Sequence, residues 1–380
     1  MLEHLYIHIP FCDGKCHYCG FYSVLAAPGL TELYAGLPAA ELAVLRATRQ
    51  ITARTPVRTV YMGGGTPAML GCDGLKRLAD SIAGKLDLSG VSEWTVELNP
   101  ASVNAELLAT LRMLGANRVS IGVQVFDDTT LSMIGRRHSA DDAARAVGMA
   151  QNAGFGNVGI DLIAGLPGVT PEIWEQTLER AISLDLKHLS VYALSVEPGT
   201  VLAAQTAVGL KLPDEEAQLE ALSHAERVLN SAGFARYEIS NYALPGFECL
   251  HNLSVWRGYD YLGLGPTAAS RVGSTRWTNC ADLSDYIEAV QQGRRPACER
   301  ETLSEVDNAL ERVVFALRLA EGIDHDEIRQ RFPVLSDRIS DWEKRMRGLE
   351  RQHITERHGR RWRLSARGRD VCDSVLRELM

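Results

Sequence analysis

Short β-rich runs alternate with longer helical stretches from Leu2 to about Gly233. Runs rich in β-branched and aromatic residues predict strands, and longer segments with an apolar residue every three or four positions predict helices. The predicted strands are Leu5–Ile9, Arg58–Met62, Trp94–Leu98, Arg118–Val125, Val158–Ile163 and His188–Leu194, and the predicted helices are Leu75–Leu86, Ala105–Leu114, Ala140–Ala153, Glu172–Leu184 and Asp214–Ala232.

Repeated strand–helix units predict a parallel sheet and therefore an α/β fold. A complete barrel of this kind has eight units, whereas this pattern supplies only about six. We therefore expect an open, partial (β/α)6 TIM-like barrel, with a doubly wound sheet as the alternative. The barrel is preferred because polar motifs follow nearly every strand, at the end where parallel α/β folds place their chemistry.

The pattern changes at about Leu303. Helices are predicted at Leu303–Gly322, Asp324–Phe332 and Trp342–Arg351, followed by a hairpin within Ile354–Ser365 and a last helix that Ser365 could cap, ending at Leu379. This order predicts a small α+β domain of winged-helix-like type. Three domains are expected: the barrel at 1–235, an extension at 236–300 and the C-terminal domain at 301–380.

Composition narrows the classes of function. The chain has 380 residues, 46% of them hydrophobic and 23% charged, with a formal net charge of −8. The acidic balance indicates no nucleic-acid partner, and the arginines between Arg345 and Arg369 are expected to form a solvated face. Eight cysteines in a chain of this length do not indicate a disulfide framework. Without a secretory leader pattern or a long apolar run, a cytoplasmic location and no membrane span are expected.

Three cysteines, Cys12, Cys16 and Cys19, follow the first predicted strand in a C-x3-C-x2-C spacing. Thiolates are the ligands of iron–sulfur clusters, and a [4Fe–4S] cluster normally uses four of them. Three local ligands would leave one iron open to a small molecule. The alternatives are plain buried thiols or a zinc site, which needs a fourth ligand such as His17.

Further motifs follow the later strands: GGGTP at 63–67, ELNP at 97–100, GVQVF at 122–126, IGRRH at 134–138 and DLIAGLPG at 161–168. Consecutive glycines allow a ligand to approach the backbone closely. The polar side chains Glu97, Gln124, Arg136 and Asp161 can bind a ligand, and an unpaired carboxylate inside an apolar strand such as that of Asp161 is costly. Their shared position at or near strand ends favours one common site.

These motifs, in this order, resemble the HemN/HemW group of radical S-adenosylmethionine (SAM) proteins over the first two-thirds of the chain. The resemblance implies a [4Fe–4S] cluster on the three cysteines, with SAM on the open iron. It also implies reductive cleavage of SAM to a 5′-deoxyadenosyl radical and an electron donor such as a flavodoxin or ferredoxin. The implied SAM contacts are Tyr6, Gly64, Gly65, Thr66 and Glu97, and Tyr18, Gln124, Arg136 and Asp161 match positions around a second SAM.

Two features separate the branches of this group. The oxygen-independent coproporphyrinogen oxidases carry a further cysteine two residues after the last cluster ligand, where this chain has Phe21. The segment from His251 to Trp256 is similar to the H-N-x-x-Y-W signature of the HemW heme chaperones, although Val255 replaces the tyrosine. Ala269, in a later HemW-like segment, replaces a frequent histidine.

The resemblance therefore implies a heme chaperone that binds a cluster, SAM and heme, with His251 as an axial ligand of the heme iron. Its expected partners are heme-donor and heme-acceptor proteins. A catalytic protein is the alternative, either an oxidative decarboxylase of coproporphyrinogen III or a two-SAM methyltransferase, because the residues around the second SAM position are retained. A non-catalytic zinc module is a third hypothesis, and a core or loop histidine is the alternative for His251.

Overall fold

The computed structural model describes residues 2–48, 51 and 55–379, which form one large sheet, two small sheets and their covering helices. The strands are β1 (His4–Ile9), β2 (Phe11–Cys12), β3 (Val24–Leu25), β4 (Thr59–Gly64), β5 (Glu93–Leu98), β6 (Arg118–Gln124), β7 (Asn157–Ala164), β8 (His188–Ala193), β9 (Ala235–Arg236), β10 (Asn241–Ala243), β11 (Tyr261–Leu264), β12 (Ala269–Val272), β13 (Thr275–Asn279), β14 (Ala297–Thr302), β15 (Ile323–Asp324), β16 (Thr355–His358) and β17 (Arg361–Leu364).

Helices connect and cover these strands. They are α1 (Pro28–Tyr34), α2 (Leu37–Ala47), α3 (Gly71–Ala83), α4 (Ala105–Met113), α5 (Asp128–Met133), α6 (Ala140–Asn152), α7 (Pro171–Ser183), α8 (Val201–Ala207), α9 (Glu215–Ser231), α10 (Leu250–Trp256), α11 (Leu283–Gln291), α12 (Glu305–Leu317), α13 (His325–Arg331), α14 (Ser336–Glu350), α15 (Ala366–Asp370) and α16 (Cys372–Leu379), with short 3-10 turns at Pro67–Leu70, Pro100–Ser102 and Pro333–Leu335.

Six parallel strands form the centre of the large sheet, in the order β1-β4-β5-β6-β7-β8. They coincide with the six predicted strands to within one or two residues, which confirms the partial barrel. Further strands extend the sheet at both sides: β11 pairs with β1 in parallel, and β10 pairs with β8 antiparallel. Because β1 and β8 do not pair with each other within the described sheet, the barrel is open.

The extension of the sheet was not predicted in detail. After β11, strands β12, β13 and β14 continue it as an antiparallel series. Strands β9 and β10 are only two and three residues long, and β11 and β12 only four. Such short runs show too little alternation for a period of two to be distinguished from loop sequence.

The two faces of the parallel sheet differ in chemistry because successive side chains point to opposite sides. In β1, the buried Leu5, Ile7 and Ile9 belong to the main hydrophobic core, whereas His4, Tyr6 and His8 occupy the alternate positions. The other parallel strands repeat this pattern and place polar residues on the same face at Thr59, Tyr61, Glu93, Thr95, Glu97, Arg118, Ser120, Gln124, Asp161, His188, Ser190 and Tyr192. The open barrel therefore has an apolar outer face under the helices and a polar interior.

The C-terminal unit has its own hydrophobic core, to which helices α12 to α16 and a three-stranded sheet contribute. The sheet order is β15-β17-β16, and the hairpin turns at Gly359, whose φ is 60°. Helices followed by a hairpin and a final helical segment confirm the predicted α+β, winged-helix-like architecture. Within the described part of the chain, no helix is long and apolar enough to cross a membrane.

Candidate functional site

The three cysteines lie in the loop between β1 and β3. Cys12 ends β2, which pairs in parallel with β3, and Cys16 and Cys19 lie in the turn between these two strands. His17 fixes the loop through both of its backbone groups: its N–H donates to the carbonyl of Ile134 at 3.0 Å, and its carbonyl accepts from Leu202 at 2.8 Å. The cluster loop is therefore held in place by hydrogen bonds to two other segments of the chain.

All three thiols are free and partly buried. The Cys12 Sγ lies 3.8 Å from the hydroxyl of Thr66, and Nη1 of Arg136 donates to the Cys16 Sγ at 3.4 Å. Burial raises the pKa of the Cys19 thiol, and the neighbouring Cys16 and Cys12 raise it further. The three thiols therefore occupy a common electrostatic environment, with a guanidinium beside one of them, which suits an anionic iron–sulfur group.

A zinc site has no support in this geometry. Among the described residues, no three His, Cys, Asp or Glu side chains form a group that could hold a single metal ion. His17, the fourth ligand considered for zinc, instead uses Nδ1–H to donate to the Met133 carbonyl at 2.8 Å. A Cβ on Gly135 would lie 2.9 Å from its Nε2, so the ring packs against that glycine.

The GGGTP loop packs directly against the cluster loop. A Cβ on Gly63 would lie 2.5 Å from Oε2 of Glu97, and one on Gly65 would lie 2.5 Å from the carbonyl oxygen of Phe11. Gly64 adopts a φ of 100°, which L side chains rarely adopt. Thr66 N–H donates to the same Phe11 carbonyl at 2.7 Å. Glycine is therefore required because a second backbone segment and a carboxylate occupy the space of a side chain.

Glu97 is the acidic group nearest this loop. Its Oε1 accepts from the Tyr61 hydroxyl at 2.7 Å and its Oε2 from the Gly64 N–H at 3.1 Å. Burial raises the pKa of Glu97 to about 7, Asp161 adds to the rise, and the two hydrogen bonds oppose it. A carboxylate of this kind can accept hydrogen bonds from amino or hydroxyl groups of a ligand.

Arg136 joins the cluster loop to the ends of β5 and β6. Its Nη2 donates to Asn99 Oδ1 at 3.3 Å and to the Gly122 carbonyl, and its Nε is buried without a partner among the described residues. Burial raises the pKa of the Tyr18 phenol, and the positive charge of this guanidinium opposes the rise. An unpartnered buried donor of this kind is a position where a bound ligand can supply the acceptor.

Two further predicted residues lie beside Arg136. Gln124 has a φ of 74°, which is uncommon for a residue other than glycine, and the β6–β7 register shifts between Gly122 and Gln124. Asp161 on β7 accepts from the Ser120 hydroxyl at 3.1 Å, and burial raises the pKa of its carboxyl. Of the four residues assigned by resemblance to a second SAM, Gln124 and Asp161 therefore lie on the neighbouring strands β6 and β7, and Tyr18 and Arg136 lie in loops.

A cavity of about 710 Å³ lies between the end of the cluster loop, at Gly20–Tyr22, and helix α10. Tyr6, Tyr61 and Phe21 line its barrel side, and His251 and Trp256 line its α10 side. Its volume falls in the range of small-molecule and cofactor sites. Of the residues that the sequence assigned to SAM, Tyr6 lines this cavity, and His251, which was assigned to heme, lines it as well.

His251 is held at the first turn of α10. The carboxylate of Glu93 accepts from the backbone N–H of Leu250 at 2.8 Å and from that of His251 at 2.9 Å. The His251 ring lies 2.9 Å, through Nδ1, from the Thr59 hydroxyl, and burial lowers its pKa to about 3. The imidazole is therefore neutral at physiological pH, the form in which histidine binds metals.

Tyr61, Thr59 and Glu93 are site residues that the motifs did not identify. All three occupy the inner face of the sheet, at positions that alternate with the core residues Val60 and Trp94. Polar residues at every second position of otherwise apolar strands are the signal that could have identified them.

Comparisons with known proteins agree with this geometry. Residues 6–181 match the radical SAM superfamily, and residues 303–371 match the HemN C-terminal domain. The heme chaperone HemW of Mycobacterium tuberculosis is 35% identical over 99% of this chain and 94% of its own length, and that of Bacillus subtilis is 35% identical over 87% of each. The solved coproporphyrinogen III oxidase HemN of Escherichia coli, described as a radical SAM enzyme, aligns over 100% of this chain and 90% of its own with a TM-score of 0.85 and 25% identity.

Proposed function

Because the chain belongs to the HemW family within the radical SAM superfamily, we propose that it is a heme chaperone that binds heme in the cavity between the cluster loop and α10 and delivers it to acceptor proteins. The observation that carries this proposal is that residues of the cluster loop and residues of α10 line the same cavity. Phe21, from the cluster loop, and His251, from α10, both line it.

The donor set suits the two cofactors that the superfamily implies. Cys12, Cys16 and Cys19 would hold a [4Fe–4S] cluster, and the cluster would supply electrons to SAM. The glycine loop at Gly64, Gly65 and Thr66, with Glu97 and Tyr6, would hold SAM beside it. The chain's own contribution is a rigid loop, a buried carboxylate and a guanidinium at Cys16.

The cavity also suits heme. Its wall contains several aromatic side chains, among them Tyr6, Tyr61 and Trp256, and large flat ligands bury well against such side chains. His251 would supply an imidazole nitrogen to the iron. Arg318, from the C-terminal unit, also lines the cavity and lies 5.0 Å from the centre of the Trp256 ring. Its Nη1 donates to Asp373 at 3.0 Å, and a carboxylate of the ligand would have to share the guanidinium with that residue.

Heme transfer tests the proposed function. Cluster-reconstituted protein loaded with heme should pass it to an apo b-type cytochrome, followed by the change in absorbance as the cytochrome fills. Transfer should be faster than from heme-loaded serum albumin at the same heme concentration. Transfer no faster than from albumin would contradict the proposal.

A catalytic function is the second candidate, because the chain retains Tyr18, Gln124, Arg136 and Asp161, and Arg136 contacts the cluster loop at Cys16. An anaerobic assay with dithionite and SAM, with and without coproporphyrinogen III, separates the two functions. Formation of 5′-deoxyadenosine that depends on coproporphyrinogen III, with loss of its carboxyl groups, would favour the oxidase. The missing thiol at Phe21 leads us to expect no such dependence.

A further inference from the structure

Two buried histidines share one hydroxyl below the cavity. The Thr59 Oγ1 lies 2.9 Å from Nδ1 of His4 and 2.9 Å from Nδ1 of His251. All three residues are at least nine-tenths buried, and His4 on β1 is the direct neighbour of Thr59 in the β1–β4 register. The contact between His4 and Thr59 is therefore part of the sheet, and Thr59 in turn holds the ring of His251 on α10.

This triad has two arrangements in which the hydroxyl donates its proton to one of the two imidazoles. A hydroxyl has one proton and can also accept, and a neutral imidazole carries one proton on either nitrogen. In one arrangement Thr59 donates to His4 and accepts from Nδ1–H of His251. In the other it donates to His251, whose proton must then be on Nε2. The first arrangement leaves Nε2 of His251 with a free lone pair, and the second blocks it.

We infer that Thr59, with His4 behind it, is a positioning residue that holds His251 in the Nδ1–H form, so that Nε2 can bind the iron of heme. This inference rests on the proposed heme site. Histidines that bind metals usually donate their other N–H to an acceptor, and loss of that acceptor typically costs 10- to 100-fold in metal affinity. Here the acceptor is the Thr59 hydroxyl, which donates its own proton in a hydrogen bond to His4.

The test compares matched variants of the cluster-reconstituted, heme-loaded protein. Thr59→Val keeps the shape of the side chain and removes the hydroxyl, and Thr59→Ser restores it. We expect Thr59→Val to lower the iron–histidine stretching frequency of the ferrous heme and to speed heme dissociation by roughly tenfold or more. Thr59→Ser should behave as the wild type. His4→Phe should shift both readouts in the same direction as Thr59→Val, because the hydroxyl proton then turns to His251.

His251→Ala separates failure of this inference from failure of the heme site. If His251→Ala leaves the heme spectrum unchanged, the heme site is misassigned and the inference falls with it. If His251→Ala abolishes the iron–histidine band but Thr59→Val retains the wild-type frequency and dissociation rate, only the role of Thr59 is overturned. Cluster content and the thermal midpoint, measured on every variant, identify loss of folding, and a misfolded Thr59→Val is replaced in the comparison by His4→Phe.

Discussion

At the scale of single residues, the site depends on buried groups whose charge is set by their surroundings. Glu97 illustrates this: burial and the nearby Asp161 raise the pKa of its carboxyl to about 7, although Tyr61 and Gly64 donate hydrogen bonds to it. Desolvation therefore changes the pKa of Glu97 more than its two hydrogen bonds do. A cationic ligand such as SAM would favour the ionised form and lower the pKa of Glu97 again.

This balance predicts a pH dependence of SAM binding. Because ionised Glu97 binds SAM better, binding releases a proton, and affinity should rise from pH 6 to pH 8, through the pKa of about 7. Glu97→Gln should bind SAM about tenfold more weakly at pH 8 and show little change with pH, since a neutral amide forms weaker hydrogen bonds. Anaerobic calorimetric titration measures both quantities, with exposed Asp141→Asn as the control. An equal pH dependence in the wild type and Glu97→Gln would contradict the assignment.

The sequence predicted the residues that belong to recognisable motifs, but not those that support them. The three cysteines could be singled out from their spacing, and His251 only from the resemblance of its segment to the HemW signature. Thr59 could not be connected to His251, because the two are 192 positions apart and meet only through the packing of α10 against β4. Contacts of this kind depend on how elements pack, which a local pattern does not contain.

At the scale of elements, α10 is a seven-residue helix that carries the proposed heme ligand. So short a helix has little intrinsic stability. Its first N–H groups are satisfied by Glu93 from the start of β5, and Cys249 Sγ lies 3.4 Å from the same carboxylate. The position of His251 thus depends on a strand residue that does not itself line the cavity.

We therefore predict that Glu93→Gln weakens heme binding indirectly. The amide can accept one of the two N–H groups but not both, so the start of α10 loosens, with a cost of about 1 to 2 kcal/mol in unfolding free energy. Asp214→Ala, at the N-cap of α9, is the matched control because loss of an N-cap side chain should cost similar stability without affecting heme. Urea unfolding and heme titration measure the two effects. Equal heme affinity in both variants would argue against a role for the cap.

Elements of different length were predicted with unequal success. The six parallel strands and the helices α3, α4, α6, α7 and α9 were found because each repeats its apolar period over six or more residues, whereas α1, α2, α5 and α8 were not predicted. Strands β10 and β11 were missed because they are too short to show a period and are held in place by their neighbours β8 and β1. Pairing with an existing sheet edge, rather than their own sequence, makes them strands.

At the scale of the whole molecule, the barrel and the C-terminal unit are joined by a buried ionic network. Arg236 donates to Glu226 at 2.7 Å, and Arg369 from α15 donates to the other oxygen of Glu226 at 2.5 Å. The side chain of Arg236 is only 5% exposed. One carboxylate on α9 therefore holds two arginines from different parts of the chain.

Removal of that carboxylate should destabilise the protein strongly. Glu226→Ala leaves the buried Arg236 with Asp370, at 3.6 Å, as its remaining acidic partner among the described residues, and breaking a buried pair typically costs about 3 to 5 kcal/mol. We expect the lower end of that range, measured by urea unfolding. Glu220→Ala, an exposed site on the same helix, should change stability by less than about 0.5 kcal/mol. A loss for Glu226→Ala no larger than for Glu220→Ala would show that the network is not a structural joint.

Heme titration of the cluster-reconstituted protein tests the central claim most directly. We predict that the wild type develops a Soret band that saturates at one heme per chain, and that His251→Ala binds at least tenfold more weakly and loses the spectrum of a histidine-bound iron. Absence of a saturable Soret band in the wild type, or the same titration curve and spectrum for His251→Ala, would contradict it.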